Sequence, residues 1–226
     1  AGLALVQLLR PGAPCTMGTY IGAISMQTGA PAFGTPESLL GMTAAAQLAR
    51  RLGVPVNCAG GAVTASCIPD VQAAAESALT LQASVQAGAN IIWHCAGWLE
   101  GGLVAGYEKL MLDAELCSAL ATFTRGIDLS TEGQALEALR AVQPGGHFLA
   151  SAHTKRNFRK ALWRPTLMEA RSHEHWAAAG GPDAARRANG LWKKRLAEYQ
   201  PPPLDPAIGE ALADFRERRL RALRGR

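Results

Sequence analysis

The sequence predicts an α/β protein of the TIM-barrel type, with strand–helix units that form the C-terminal portion of a (β/α)8 barrel and a helical C-terminal extension. Short apolar segments alternate with longer helical patterns, as in parallel sheets whose crossovers are helices. No GxGxxG loop follows a strand, which disfavours a doubly wound sheet, the main alternative. The chain has 226 residues, of which 48% are hydrophobic, so it can form one large domain or two small ones.

The first strand–helix unit follows an opening helical segment. "AGLALVQLL" is typical of an amphipathic helix, and "PCTMGTY" (14–20) is typical of a short strand. A helix is predicted from Pro36 to about Arg51, because Thr35 suits the N-cap and Gly53 suits the C-terminal end. The chain starts inside a helical pattern and without Met, so we expect it to be the C-terminal part of a longer protein.

Two further strand–helix units follow. "VPVNCAGG" (54–61) and "NIIWHCAG" (90–97) are predicted strands, because both are short apolar segments closed by glycine. They precede predicted helices over about 69–87 and 107–124. This order is the one expected of a parallel sheet.

The last part of the chain changes in character. A helix over 131–142 precedes "GGHFLASAH" (145–153), which is either a fourth strand or its loop. We therefore assign residues 1–155 to barrel units and 156–226 to a basic helical extension. Prolines in "YQPPPLDP" (199–206) are predicted to form a linker before the last helix.

Charge and cysteine content exclude several functional classes. Residues 151–226 contain 17 Lys and Arg against 8 Asp and Glu, but these lie on helical patterns without a nucleic-acid recognition motif. A solvated helix face or an acidic protein partner is therefore favoured over nucleic acid.

No apolar run is long enough for a membrane span, and no signal peptide opens the chain. Five cysteines without a CxxC pair indicate free thiols in a reducing compartment, so we expect a cytoplasmic protein.

Chemically useful residues follow the predicted strands, where barrels carry their active sites. They are Tyr20, Phe33, Gly60, Gly61, His94, Trp98, Glu100, His147 and His153. We predict that His94, Glu100, His147 and the Gly60–Gly61 turn line one cavity. Aromatic faces beside a carboxylate such as Glu100 can hold a cationic amine, although packing alone also explains such aromatic residues.

His94 and Cys95 allow several interpretations. As neighbours on a strand they point to opposite sides, so they cannot easily bind one metal ion together. A zinc site would need further ligands from Cys58, Cys67 or one of the later histidines. A Cys–His nucleophilic pair has no recognisable oxyanion hole, and a cysteine in such a strand is most often a small core residue. We expect His94 rather than Cys95 to face the cavity.

The acidic residues on the predicted helices are interpreted as helix-dipole partners or surface charges and not as site residues. Asp70 and Glu76 stand near a helix start, where they complement the helix dipole. Glu108, Asp113 and Glu115 lie within the helix over 107–124, and we expect them to be surface charges.

Several motifs together resemble the trimethylamine methyltransferase superfamily. They are "TGAPAFGTPES", "AGG…PDVQAAAESALT", "GANIIWHCAGWLEGG…YEKLMLDAE", "VQPGGHFLASAHTKRNFRKALWRP" and "WAAAGGPDAARRANGLWKKRLAEYQPPPLDP". The resemblance covers nearly the whole chain. Full-length members are about twice as long, and this chain resembles their C-terminal half.

The resemblance implies a (β/α)8 barrel that transfers a methyl group from a methylated amine to the Co(I) of a corrinoid. That cofactor is carried by a separate corrinoid protein and not by the barrel itself. Members that act on trimethylamine contain pyrrolysine, at a position that aligns with Ala62–Ser66. Only standard residues occur there, so the chain resembles the branch without pyrrolysine, whose members demethylate quaternary amines such as glycine betaine.

On this basis we assign roles to the residues after the strands. Catalysis is assigned to His94, Glu100 and His147, and substrate binding to Tyr20, Phe33, Gly60, Gly61, Trp98 and His153, with no metal site. A half barrel leaves two sheet edges open, so we expect a homo-oligomer or pairing with the missing half, and no nucleic-acid or membrane partner.

One motif departs from the family pattern. Many relatives have "TDSK" where this chain has "TASC", with Ala65 and Cys67 in place of the acid and the lysine. Two alternatives therefore stay open. One is a non-catalytic or truncated barrel fragment that acts as a binding module, and the other is a zinc-dependent methyltransferase.

Overall fold

A computed structural model describes residues 1–58 and 60–224 of the chain and shows a mixed α/β fold. Its strands are β1 Met17–Thr19, β2 Ala23–Ile24, β3 Pro31–Ala32, β4 Val56–Cys58, β5 Ile91–Ile92, β6 Trp98–Leu99 and β7 Val104–Ala105. Its helices are α1 Gly2–Leu9, α2 Pro36–Arg51, α3 Val71–Gln86, α4 Tyr107–Thr124, α5 Thr131–Gln134, α6 Leu136–Ala141, α7 Ala152–Asn157, α8 His173–Ala178, α9 Ala184–Ala197 and α10 Pro206–Arg224. A 3₁₀ turn covers Glu100–Gly102.

The largest sheet is parallel and contains β1, β4 and β5 in that order. Met17 pairs with Val56, and Cys58 pairs with Ile92. Helices α2 and α3 connect consecutive strands of this sheet, as βαβ units require. The predicted mixture of helices and parallel sheet is confirmed, with strands shorter than the sequence segments suggested.

The core lies between this sheet and the two crossover helices. Its central cluster contains Met42, Ala46, Ala49, Val56, Cys58 and Ala87. Most of these side chains are small, which lets α2 approach β4 closely. The close approach fixes the carboxyl ends of β1, β4 and β5 at one edge of the sheet.

Most predicted helices begin and end near their predicted residues. Helix α3 begins after Asp70, whose carboxylate accepts a hydrogen bond from the Ala73 N–H at 2.9 Å and so acts as the N-cap. The single helix predicted over 131–142 is wrong, because Ala135 has a left-handed φ of 52° that separates α5 from α6. Residues 145–151 contain no strand, so the loop interpretation of "GGHFLASAH" holds.

The chain divides into two compact units, Ala1–Trp192 and Lys193–Arg226. Residues 156–192 therefore pack within the first unit, whereas the predicted division at residue 155 followed the change in composition. Across the two described stretches of chain, no helix combines the length and apolar character needed to cross a bilayer.

Glu115 is buried, which shows that its assignment as a surface charge is wrong. Its Oε1 accepts hydrogen bonds from the backbone N–H groups of Thr166, Leu167 and Met168 at 2.7, 2.8 and 3.0 Å. Three convergent donors compensate for the lost hydration of the carboxylate. Glu115 thus fastens the segment after α7 to helix α4.

Glu108 is partly buried and contributes to the same packing. Its Oε1 accepts hydrogen bonds from Asn189 Nδ2 at 2.6 Å and from Trp192 Nε1 at 2.8 Å. The Trp192 ring also stacks on Tyr107 with centroids 4.7 Å apart. Acidic residues on α4 therefore organise the segment that precedes Lys193, instead of facing solvent.

Replacing Glu115 by Ala is expected to lower the free energy of unfolding by about 2–4 kcal/mol, because three backbone donors lose their acceptor. Glu115→Gln should cost less, since its amide oxygen still accepts. Urea denaturation followed by circular dichroism measures both changes. The exposed Glu137→Ala serves as a control and should change stability by less than about 0.5 kcal/mol. Equal stability of Glu115→Ala and Glu137→Ala would contradict the role of Glu115.

Candidate functional site

Four rings meet at the carboxyl edge of the parallel sheet, and we call them the aromatic group: Tyr20, Phe33, His94 and Trp98. Ring centroids are 5.6 Å apart for Tyr20 and Phe33, 6.2 Å for Tyr20 and His94, and 5.6 Å for His94 and Trp98. Tyr20 follows β1, Phe33 follows β3 and His94 comes two residues after β5, while Trp98 begins β6. The structure therefore brings together four residues that the sequence placed after predicted strands.

The backbone around His94 is held in an unusual conformation. His94 has a φ of 57°, a left-handed value that costs a residue with a Cβ about 1–2 kcal/mol. Two hydrogen bonds oppose this cost: Gly61 N–H donates to Trp93 O, and Ala62 N–H donates to His94 O, both at 2.9 Å. They continue the pairing of β4 with β5 beyond the ends of the strands.

The backbone after β4 lies close to the backbone after β5, and this close approach explains why residues 60 and 61 are both glycine. A Cβ on Gly61 would lie 2.6 Å from Ile92 Cγ2 and 3.0 Å from Trp93 O, so no larger residue fits without a shift. Gly60 has a φ of 84°, and its Cα faces the Tyr20 ring. The predicted turn thus separates Tyr20 from the segment after β5 that carries His94.

Cys95 is directed away from the aromatic group. Its thiol donates to Ile92 O at 2.9 Å, and the Cys117 thiol donates to Cys95 O at 3.6 Å. The contact with the Cys117 thiol and burial raise the pKa of Cys95 well above its usual range. The hydrogen bond to Ile92 O keeps the Cys95 thiol against the backbone of its own turn, which favours the interpretation of Cys95 as a small packing residue.

The turn that contains Glu100 packs against Phe33. Glu100 N–H donates to Ser66 O and Gly101 N–H donates to Thr64 O, both at 2.8 Å. Glu100 itself has a left-handed φ of 51°, and its side chain is exposed. A Cβ on Gly101 would lie 3.5 Å from the Phe33 ring, so the turn closes over that ring.

The stretch Ala62–Ser66, which aligns with the pyrrolysine position, is mostly buried. Glu76 from α3 accepts hydrogen bonds from Thr64 Oγ1 at 2.5 Å and Ala65 N–H at 2.8 Å. Ser66 Oγ donates to Asp70 Oδ1 at 2.9 Å. Expecting Asp70 and Glu76 only to complement the helix dipole was therefore wrong, because both also hold this loop.

A buried ion pair lies beneath these loops. Lys109 and Asp113 are 1% and 3% exposed, and Lys109 Nζ lies 2.5 Å from Asp113 Oδ2. The ammonium also donates to Ser77 Oγ at 2.9 Å and to Ala62 O at 3.1 Å, and Gly97 N–H donates to Asp113 Oδ2 at 2.9 Å. Expecting Asp113 at the surface was wrong.

Hydrogen bonds to both members of the ion pair compensate for their lost hydration, which explains why the two charges can be buried. All three donors of the Lys109 ammonium have acceptors. Burial raises the pKa of the Asp113 carboxyl, while the contact with Lys109 acts in the opposite direction. The pair joins the loop after β4, helix α3, the loop after β5 and helix α4. This structural contact beneath the site was not predicted from the sequence, and the i,i+4 spacing of "KLMLD" is the available signal for it.

His147 and His153 lie apart from these contacts. His147 is exposed in the irregular segment after α6. His153 Nε2 lies 2.8 Å from Glu132 O and 3.8 Å from the Glu132 carboxylate. Among residues 1–58 and 60–224, no ring contact or hydrogen bond joins either histidine to the aromatic group, so their assigned roles stay predictions. The same residues contain no group of three His, Cys, Asp or Glu side chains able to hold a metal ion.

The aromatic group forms a wall and not a closed chamber. A cavity of about 10 Å³ lies between the Tyr20 and Phe33 side chains, Met42 and Gly60, which is room for one water molecule at most. Tyr20 is 56% exposed and His94 is also exposed. The Tyr20 and His94 rings are therefore accessible from solvent.

Lys109→Met is expected to lower the free energy of unfolding by about 3–5 kcal/mol, because it leaves the Asp113 carboxylate buried without its partner. The double variant Lys109→Met/Asp113→Leu should recover most of this loss. Urea denaturation of the single variants and of the double variant measures the coupling. Lys194→Met removes an exposed pair with Glu198 and should cost less than about 1 kcal/mol. A double variant no more stable than Lys109→Met would show that the charges are not coupled.

Comparison with known proteins shows what this chain is similar to. The family described as Trimethylamine methyltransferase (MTTB) matches residues 1–223, which confirms the resemblance seen in the motifs. Over 215 residues the chain is 36% identical to a protein named Glycine betaine methyltransferase from Desulfitobacterium hafniense, covering 95% of this chain and 44% of that protein. Over 208 residues it is 35% identical to Trimethylamine methyltransferase MttB2 from Methanosarcina mazei, covering 92% and 41%.

A third relative, Trimethylamine methyltransferase MttB from Methanosarcina barkeri, is 32% identical over 225 residues, which cover 100% of this chain and 45% of that protein. The chain thus spans less than half the length of these relatives. The match nevertheless extends across nearly all of its residues. On this basis, the chain belongs to the trimethylamine methyltransferase family.

Proposed function

We propose that this chain forms part of a corrinoid-dependent methyltransferase. The enzyme moves a methyl group from a quaternary or tertiary methylated amine, of the glycine betaine kind, to the Co(I) of a corrinoid on a separate protein. One observation carries the proposal: four rings stand together at the carboxyl edge of a parallel sheet, and two of them, Tyr20 and His94, are exposed. The names of relatives that match nearly the whole chain support it.

The proposed architecture is one part of a (β/α)8 barrel. Three parallel strands with helical crossovers repeat the barrel unit. In the described residues, β1 and β5 are the outer strands of this sheet and each has one side without a neighbouring strand. We propose that the other part of the barrel, or a second copy of the chain, pairs with these edges.

Methyl transfer from a quaternary amine makes few demands on acid–base groups. The C–N bond breaks, its electron pair stays on nitrogen, and a neutral tertiary amine leaves without taking up a proton. The corrinoid supplies the Co(I) nucleophile that accepts the methyl group. What remains for the protein is to hold the cation, align its methyl group and exclude water.

The aromatic group suits these tasks. Ring faces attract a quaternary ammonium that cannot donate a hydrogen bond. We propose that Tyr20 and Trp98 hold the cation, with the buried Phe33 ring packed behind Tyr20 as part of the same substrate-binding wall, and that His94 and Glu100 act beside the reacting methyl group. Both of the latter have left-handed backbones fixed by hydrogen bonds, so their positions are defined before substrate arrives. His147 and His153 remain predicted site residues that the other part of the barrel would have to bring near.

The non-catalytic alternative keeps one specific observation in its favour. Ala65 and Cys67 replace residues that the family pattern supplies. Ala65 contributes only its backbone N–H to Glu76, and Cys67 is exposed. A binding module would retain the aromatic group and bind the amine without transferring a methyl group.

A methylation assay separates the two. A polypeptide that contains both parts of the barrel is mixed with reduced cobalamin and glycine betaine, and the Co(I) absorbance is followed. We expect the Co(I) absorbance to disappear with glycine betaine present and to persist with trimethylamine alone. Amine binding without any loss of Co(I), in the presence of the corrinoid partner as well, would favour the binding module.

Trp98→Leu is expected to weaken binding of glycine betaine by on the order of 2- to 30-fold, because it removes a π face worth roughly 0.5–2 kcal/mol. Isothermal titration calorimetry on the same two-part polypeptide measures the change. Trp176→Leu is the matched control, because Trp176 packs on Gly181 and contacts His173 outside the aromatic group. Unchanged affinity in Trp98→Leu, with the protein still folded, would make Trp98 a packing residue only.

A further inference from the structure

Two cysteine side chains meet next to the segment that carries His94. The Cys117 thiol on α4 donates to Cys95 O at 3.6 Å, and the two thiol groups are in hydrogen-bonding contact with each other. The segment after Cys95 lies along α4, because Gly97 N–H donates to Asp113 Oδ2 at 2.9 Å, one helical turn before Cys117. Both cysteines are partly exposed to solvent.

The other three cysteines differ from this pair. Cys58 is buried in the core, Cys67 is exposed, and Cys15 has hydrogen bonds to other residue types. In the described part of the chain, none of these three contacts another cysteine through a hydrogen bond. Cys95 and Cys117 are 22 residues apart in the sequence, so only the folded chain brings their thiols together.

We propose that Cys95 and Cys117 are a redox-sensitive pair, which forms an intramolecular disulfide on reaction with a small disulfide such as oxidised glutathione. The thiols already touch, and a bond of about 2.0 Å requires a further approach of the sulfur atoms. Cys95 can supply this movement, because it lies in the irregular segment between β5 and β6, whereas Cys117 is fixed in a helix. The bond tethers the segment that directly follows His94 to α4. This inference requires nothing of the methyl-transfer reaction.

The oxidation proceeds by two thiol–disulfide exchanges. The ionised Cys117 thiol attacks one sulfur of the small disulfide, which gives a mixed disulfide and releases one small thiolate. Cys95 then attacks the Cys117 sulfur and releases the second small thiolate. The two small thiolates take up the protons that the two cysteines lose. The protein is thus oxidised by two electrons, and one small disulfide is reduced to two thiols.

The contact between the thiols assigns the order of attack. It lowers the pKa of the Cys117 thiol to about 7, because the Cys95 S–H can turn from Ile92 O to a thiolate at Cys117. Cys117 therefore has the larger thiolate fraction at neutral pH and reacts first. Once Cys117 is in the mixed disulfide, its thiolate no longer raises the pKa of Cys95, so Cys95 can ionise and complete the exchange.

The pair does not have the surroundings of a metal site. A structural zinc ion needs four ligands, and Asp113 near the pair already accepts hydrogen bonds from Lys109 and from Gly97 N–H. Within residues 1–58 and 60–224 there is no group of three His, Cys, Asp or Glu side chains able to hold a metal ion. Two touching thiols without further ligands favour disulfide chemistry.

Peptide mapping of the folded 226-residue chain tests the proposal. The chain is incubated with oxidised glutathione, the remaining thiols are alkylated, and the linked cysteines are identified by fragmentation mass spectrometry. We expect a Cys95–Cys117 disulfide that dithiothreitol reverses. Cys67 is the internal control, because it is exposed without a cysteine neighbour and should keep its glutathione. The same treatment in urea should lower the yield of the Cys95–Cys117 disulfide on the order of 10-fold, because unfolding separates the thiols.

Two variants test the second exchange. Cys95→Ser should retain at least about 10-fold more glutathione on Cys117 than the parent does, because no second thiol displaces it. Cys67→Ser is the matched control and should leave the yield of the Cys95–Cys117 disulfide within about 2-fold of the parent. Circular dichroism checks that both variants fold, and the mapping of the parent needs no substitution.

Three results would overturn the proposal. The first is a folded parent in which Cys95 and Cys117 stay reduced while Cys67 takes up glutathione. The second is glutathione that persists on Cys117 with Cys95 present. The third is a Cys95–Cys117 disulfide that forms equally well in urea, since the folded contact would then not direct it.

Discussion

The Lys109–Asp113 ion pair is the contact on which the site depends. Its two charges are buried, and each pairs with groups from other elements: Ser77 on α3, the Ala62 carbonyl after β4 and the Gly97 amide after β5. Removing either charge leaves the other in a medium that cannot hydrate it. Helix α4 therefore fixes two strand-end loops and one crossover helix at once.

The aromatic group follows from this constraint. With Ala62 and Gly97 fixed, the backbone between Trp93 and Trp98 has little freedom, and His94 adopts a left-handed conformation that hydrogen bonds from Gly61 and Ala62 stabilise. Rings on short loops then meet at defined distances. The proposed quaternary amine donates no hydrogen bond, so the proposal relies on walls that are formed before the amine binds.

Much of the fold can be predicted from the sequence, since it rests on local signals. The bounds of α2 follow from Pro36 at its first position and from Gly53 just after its end, and the order of strands and helices indicates the parallel sheet. Tyr20 and His94 could be grouped because the parallel strands β1 and β5 end at one edge, whereas Phe33 and Trp98 adjoin two short antiparallel pairs. His147 could not be placed, because the segment after α6 has no strand to direct it.

The buried charges could not be predicted for a different reason. A Lys and an Asp at i,i+4 spacing have the same pattern on a solvated surface as in a core, so Asp113 was expected at the surface. Glu115 presents the same difficulty, because its partners are backbone amides 51 to 53 residues later in the chain. Only tertiary packing distinguishes these carboxylates from exposed ones.

Amide hydrogen exchange in the variant Lys109→Met/Asp113→Leu tests most directly whether the ion pair positions the site. Its core packing is retained while both charges are gone. The amides of Gly97, Ala62 and Gly61 should exchange on the order of 10-fold faster than in the parent, with amides of helix α2 unchanged. Unchanged protection at all three loop amides would contradict the claim that this pair holds the loops that carry the aromatic group.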